Sequence, residues 1–92
     1  MTESFDPTEG VAFLHCNQPD GTQSTDIFRE SENPDRDPVH RAEALRLAVE
    51  DDFPGAVFSI GMNERARNLA TVTSMRALGF TDYTLADVEA AE

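Results

Sequence analysis

Along this chain the spacing of apolar residues switches between the two-residue repeat of a strand and the longer repeat of a helix, and each switch marks an element. Residues 1–9 show neither repeat and read as a flexible acidic lead-in, so the folded body is expected over 10–92. Within it, the runs VAFLHCN and TQSTDIF flank Gln18-Pro19-Asp20-Gly21. Proline presets φ at the second turn position, aspartate suits the third, and glycine takes the left-handed conformation that follows. The segment therefore predicts a β-hairpin.

Loop length decides its register. A loop of Pro19-Asp20-Gly21 pairs Phe13 with Ile27 and His15 with Thr25. The shorter Asp20-Gly21 loop pairs Phe13 with Phe28 and His15 with Asp26, but it needs an N–H that Pro19 lacks, so the longer loop is expected. Both faces of the hairpin then carry apolar groups: Val11, Phe13 and Ile27 on one, and Ala12, Leu14 and Phe28 on the other. Cover on both sides, from helices or a second subunit, would satisfy this pattern.

SENPDRD, residues 31–37, is a polar loop that ends in a helix start, with Asp37 as N-cap and Pro38 at the first helical position. The helix is expected to reach about Asp52, with Ala42, Leu45, Ala48, Val49 and Phe53 on one face and Pro54-Gly55 as its stop. AVFSIGM, residues 56–62, reads as a buried strand with Ala56, Phe58, Ile60 and Met62 on one side. The following segment carries two signals. Asn63 and Gly79 stand where a helix should start and stop, which would align Ala66, Leu69, Ala70, Thr73, Ala77 and Phe80, while LATVTSM alternates like a strand. The cap and stop favour the helix. Thr84 with Asp87 then opens a short terminal helix. The order β-β-α-β-α-α predicts an α+β fold: a small single-layer antiparallel or mixed sheet, the hairpin plus a third strand, packed with two to three helices.

Charge changes the picture from a generic small domain to an unusual one. The chain has 18 acidic residues, seven arginines, no lysine and a formal net charge of −11. At a compact radius of roughly 12 Å and a Debye length of about 8 Å, these charges repel across the whole molecule. A salt-adapted proteome, a GC-rich genome that favours arginine codons, and a task facing a basic surface each account for part of this bias. Direct binding to nucleic acid is not expected, because the arginines are dispersed among more numerous acids, and the same reasoning disfavours anionic membranes. The polar, acidic start MTESFDPTEG is unlike a signal peptide, and the single cysteine, Cys16, suits a reducing compartment. A cytoplasmic location is expected.

Candidate chemistry is sparse. His15 and Cys16 are neighbours on a strand and so point to opposite faces, which prevents them from acting as a base and nucleophile pair. Cys16 reads as a small core residue and His15 as a boundary residue. One cysteine and two histidines, His15 and His40, form no zinc spacing. No metal or cofactor site is expected. Arg65 and Arg67 sit near a strand-to-helix junction without a glycine-rich phosphate loop, and pairing with acids such as Glu64 is the expected role. Met62 and Met75 read as core filling.

The acids gather in two stretches, Glu30, Glu32, Asp35 and Asp37, and then Glu50, Asp51 and Asp52. Both are expected to be solvated, and the second lies at a helix C-terminus, where negative charge is disfavoured. These seven residues are therefore the candidates for contact with a partner. The leading expectation is a non-catalytic binding or regulatory module that acts through protein contacts, either with a basic partner or with itself as a homodimer. A nucleic-acid-mimicking inhibitor of a basic DNA- or RNA-binding protein is the alternative, and a small enzyme ranks third.

Overall fold

The computed structural model describes residues 8–91. Strand β1 (Val11–Asn17) and strand β2 (Gln23–Arg29) form the hairpin. Their register pairs Phe13 with Ile27 and His15 with Thr25, as the longer loop requires. Gln18 N donates to the Thr22 carbonyl at 2.9 Å, and Gly21 takes a φ of +91°. Helix α1 (Pro38–Val49), strand β3 (Val57–Met62), helix α2 (Glu64–Ala77) and helix α3 (Leu85–Ala91) follow. The sheet is antiparallel throughout with strand order β2-β1-β3, so the fold is α+β with the expected element order.

Each helix begins where the local chemistry says it should. The Asp37 side chain accepts from His40 N at 2.9 Å, with Pro38 at the first position of α1. For α2, Asn63 Oδ1 accepts from Ala66 N at 2.9 Å and from Val11 N at 3.1 Å, while Asn63 Nδ2 donates to the Glu9 carbonyl at 2.8 Å. One side chain thus caps the helix and fastens it to the start of β1. Glu9, expected in the flexible lead-in, is also bound through its carboxylate to Ser31 N at 2.9 Å; the remainder of the lead-in, residues 1–7, and Glu92 lie outside the described residues. The far end of α2 closes with Gly79 N donating to Arg76 O and Phe80 N to Met75 O, both at 3.1 Å, the paired bonds of a Schellman motif. Thr84 N donates to Asp87 Oδ2 at 2.8 Å, which opens α3.

Three expectations about packing need correction. β3 is not a buried strand: it lies at the sheet edge with Val57 66% exposed, and Met62 is 38% exposed instead of filling the core. The α2 face is rotated from the one expected, because Ala66, Asn68 and Val72 are buried while Thr73, Ala77 and Phe80 are exposed. This helix packs against α1 and α3 and touches β1, and Arg76, Ala77 and Leu78 at its end are exposed. Helix α1 ends at Val49, and a 3-10 turn carries the chain through Glu50–Asp52.

The core sits between α1, the start of α2 and the sheet, mainly on the face of Ala12, Leu14 and Cys16 with Val11 buried on the other, and it is built from small residues. Ala12, Leu14, Cys16, Ala42 and Ala66 are buried, and the largest fully buried side chains are Val11 and Pro38. No phenylalanine among the described residues is fully buried. The radius of gyration is 14.7 Å, wider than the roughly 12 Å of a compact chain of this length.

Candidate functional site

The two faces of the sheet differ sharply. Ala12, Leu14 and Cys16 of β1 share a face with Phe28, Phe58 and Ile60 of the neighbouring strands, and α1 covers it. A cleft of about 260 Å³ remains on this side between Leu14, Cys16, Leu45, Val49, Phe53 and Phe58. Beyond the hairpin tip and the helices, the opposite face presents Phe13, His15 and Asn17 from β1, Gln23, Thr25, Ile27 and Arg29 from β2, and Val57, Ser59 and Gly61 from β3. Val11 also belongs to this face and is buried where Asn63, at the start of α2, bonds to it, while the positions toward the hairpin turn are half-buried or exposed. Ile27 is 40% exposed there and Val57 66%.

Charge sets the second face apart. In a chain with 18 acidic residues, none of the positions that point to this side is a carboxylate. His15 Nδ1 lies 3.0 Å from Thr25 Oγ1, and its ring stacks on Phe13 with centroids 6.1 Å apart and an interplanar angle of 11°. A flat, half-apolar, hydrogen-bonded surface results. Cys16 points to the covered side and is buried, so the two neighbours are separated by the sheet itself.

The seven candidate carboxylates have diverse roles. Glu30 receives Arg65 in a two-point contact, Nε to Oε1 at 2.7 Å and Nη2 to Oε2 at 3.0 Å, and its Oε1 also accepts from Gly10 N at 2.9 Å. The Arg65 hydrogen bond holds the Glu30 carboxyl below the usual glutamate range, and the same bond raises Arg65. Arg65 thus pairs across the fold instead of with Glu64. Glu32 Oε1 accepts from Arg29 N at 2.8 Å and lies 3.8 Å from Arg41. Arg41 donates to the Arg29 carbonyl at 2.7 Å and stands 5.7 Å over the Phe28 ring.

Asp37 departs furthest from the expected solvated state. Its side chain is 4% exposed. Oδ2 accepts from Thr73 Oγ1 at 2.6 Å and from His40 Nδ1 at 2.7 Å, while Oδ1 caps α1. A carboxylate here costs little because both oxygens meet donors, three in all, and the Thr73 bond ties α1 to α2. Sequence signals identified the cap but not the burial, since Thr73 is 36 residues away in the chain. Glu50 is held by Arg46 at 2.9 Å, and Arg46 also pairs with Glu43. Asp35, Asp51 and Asp52 remain exposed.

The two acidic stretches lie at opposite ends of α1, a helix of 12 residues, which separates them by roughly 18 Å. No group of His, Cys, Asp and Glu among the described residues is arranged to hold a metal ion. A shallow cleft of about 470 Å³ lies between Phe80, Tyr83 and Asp87, in the segment from the end of α2 into α3. No described helix is long and apolar enough to cross a membrane. No family model, no curated protein and no solved structure matches this chain.

Proposed function

We propose that this protein is a small acidic binding module that acts through protein–protein contact, without catalysis, and that the carboxylate-free sheet face is the surface it uses. The single observation that carries this reading is the distribution of charge: a chain of net −11 keeps one whole sheet face clear of acids while leaving Ile27 and Val57 exposed on it. Interface centres are depleted in charge and enriched in aromatic and apolar groups, and His15, Ile27 and Val57 provide that composition. The acids elsewhere keep the molecule soluble and discourage contact by any other face.

The imitation of nucleic acid would need the acids of 30–37 and 50–52 to be free and aligned. Asp37 is enclosed, Glu30 and Glu50 are paired with arginines, and the two stretches stand at opposite ends of α1. No observation of the geometry favours that second reading.

A pair of variants separates the two. Ile27→Asp with Val57→Asp places charge on the open face, and Asp51→Asn with Asp52→Asn removes exposed acid. Affinity capture from the source organism should recover a partner with wild type and with the acid-removed variant, and lose it with the face variant. Retention by the face variant with loss on acid removal would refute the reading.

A further inference from the structure

The two edges of the sheet are finished differently. On β2 the strand carries Asp26 and Arg29, and its last outward backbone groups are occupied, with Arg29 N donating to Glu32 and Arg41 donating to the Arg29 carbonyl. Charges and side-chain plugs of this kind discourage pairing at an edge, although on β2 they occupy the outward groups of Arg29 alone, those of Gln23, Thr25 and Ile27 having no partner among the described residues. On the other edge β3, Val57–Met62, has neither charge nor proline.

Its free hydrogen-bonding groups can be identified. Asn63 N donates to the Val11 carbonyl at 3.1 Å, and in an antiparallel ladder the bonded pairs alternate. Gly61, Ser59 and Val57 therefore bond to β1 through the pairs Phe13–Gly61, His15–Ser59 and Asn17–Val57. The N–H and C=O groups of Phe58, Ile60 and Met62 point away from the sheet, and among the described residues nothing is bonded to them.

We infer that β3 pairs antiparallel with β3 of a second copy of this chain, in a register centred on Ile60, which makes one six-stranded sheet across a two-fold axis. The inference rests on the proposed use of the open face as a binding surface only for its purpose, not for its geometry. In this register Phe58 stands opposite Met62 of the other copy, and Ile60 stands opposite its own equivalent. All the outward groups of these residues find partners. Ser59 falls opposite Gly61, where the missing side chain leaves room beside the strand. Phenylalanine with methionine is a favourable cross-strand contact.

The self-complementary register makes a second copy the occupant, and the placement of charge around β3 favours the antiparallel over the parallel arrangement of the two. β3 begins just after Asp51 and Asp52 and ends at the start of α2, where Arg67 is exposed and pairs with no carboxylate among the described residues. Two-fold pairing brings the acidic turn of each copy to the end of β3 where the other copy carries Glu64 and Arg67. It also holds the two acidic turns about 20 Å apart, more than two Debye lengths at physiological salt. A parallel partner would set like charges side by side.

The open face gains as well. Three strands offer a plan area of roughly 300 Å², short of the about 800 Å² that a standard interface takes from each partner. Joining two copies edge to edge doubles the continuous face. A thin core of small residues is also the situation in which small domains draw stability from association.

Sedimentation over a concentration series, together with amide hydrogen exchange on the full chain, tests the pairing. A dimer is expected, with the Phe58, Ile60 and Met62 amides protected at high concentration and released on dilution. Ile60→Pro removes one outward N–H and leaves the bonds of Ser59 and Gly61 to β1 in place, and it should weaken self-association by at least about tenfold. A monomer at every concentration and salt overturns the inference, as does a dimer whose three amides exchange fast. Protection that appears only when another protein is added assigns the edge to that protein and also overturns it. None of these results decides the proposed use of the open face, which the Ile27 and Val57 variants test separately.

Discussion

Glu30 shows how one side chain can serve two structural ends at once. Its carboxylate closes the ladder at Gly10 N and anchors Arg65 of α2 against the end of β2, so removing the charge loosens two elements. The Arg65 hydrogen bond is the main cause of its lowered pKa. A carboxyl depressed in the folded state contributes stability above its unfolded value, about 4.3 for glutamate, and loses it as the pH falls through the folded value. Glu30→Gln should therefore be less stable than wild type by about 1–3 kcal/mol near neutral pH. The gap between the two proteins should narrow as the solution is taken to about pH 3. Urea unfolding of both at several pH values measures it, and a gap that widens in acid would contradict the assigned role. Neither this contact nor the Asp37–Thr73 bond could be read from the sequence. Each joins residues more than thirty positions apart, and local pattern carries no information on which arginine or threonine the fold will bring to a given acid.

Elements, by contrast, were largely legible, because their ends are local chemistry. The turn Pro19-Asp20-Gly21 sets the hairpin register, Asp37-Pro38 starts α1, and Asn63 and Gly79 bound α2 against the strand-like alternation of LATVTSM. Gly79 takes a φ of +110° with nothing within 4 Å of the position a Cβ would occupy, so its requirement is conformational and not steric crowding. Gly79→Ala should cost about 1–2 kcal/mol from the left-handed backbone alone, with the Schellman bonds strained. Thermal unfolding checks this, and a neutral substitution would mean that the turn after α2 can relax at no cost. Which sheet face the helices cover, and which strands form the edges, were not legible. The alternation places apolar groups on both faces of the hairpin, and nothing in the order of strands along the chain says that β1 lies in the middle. The carboxylate-free face therefore became visible only with the register of all three strands in hand.

At the scale of the whole molecule, a thin core and a large like-charged surface oppose each other. The buried apolar groups are mostly alanine and valine, so hydrophobic burial provides only a modest gain against the cost of ordering the chain. The net charge of −11 works against compaction, and only Glu30, Glu32, Glu43 and Glu50 among the acids lie within ion-pair distance of an arginine in the described body. Salt should screen the remaining repulsion while leaving the buried bonds of Asp37 and Glu30 nearly untouched. The thermal midpoint should therefore climb steadily from about 0.05 M to about 1 M KCl, and a gain near 1 kcal/mol would appear as roughly 4–8 °C in a domain of this size. The same screening should favour the pairing of two copies through β3, because each copy carries the same charge and the strand that joins them carries none. Calorimetry at low protein concentration isolates the first effect from the second. A midpoint indifferent to salt would show that the acids are arranged at too low a mutual cost to govern stability, and their excess would then have to be explained by what the surface meets and not by where the protein works.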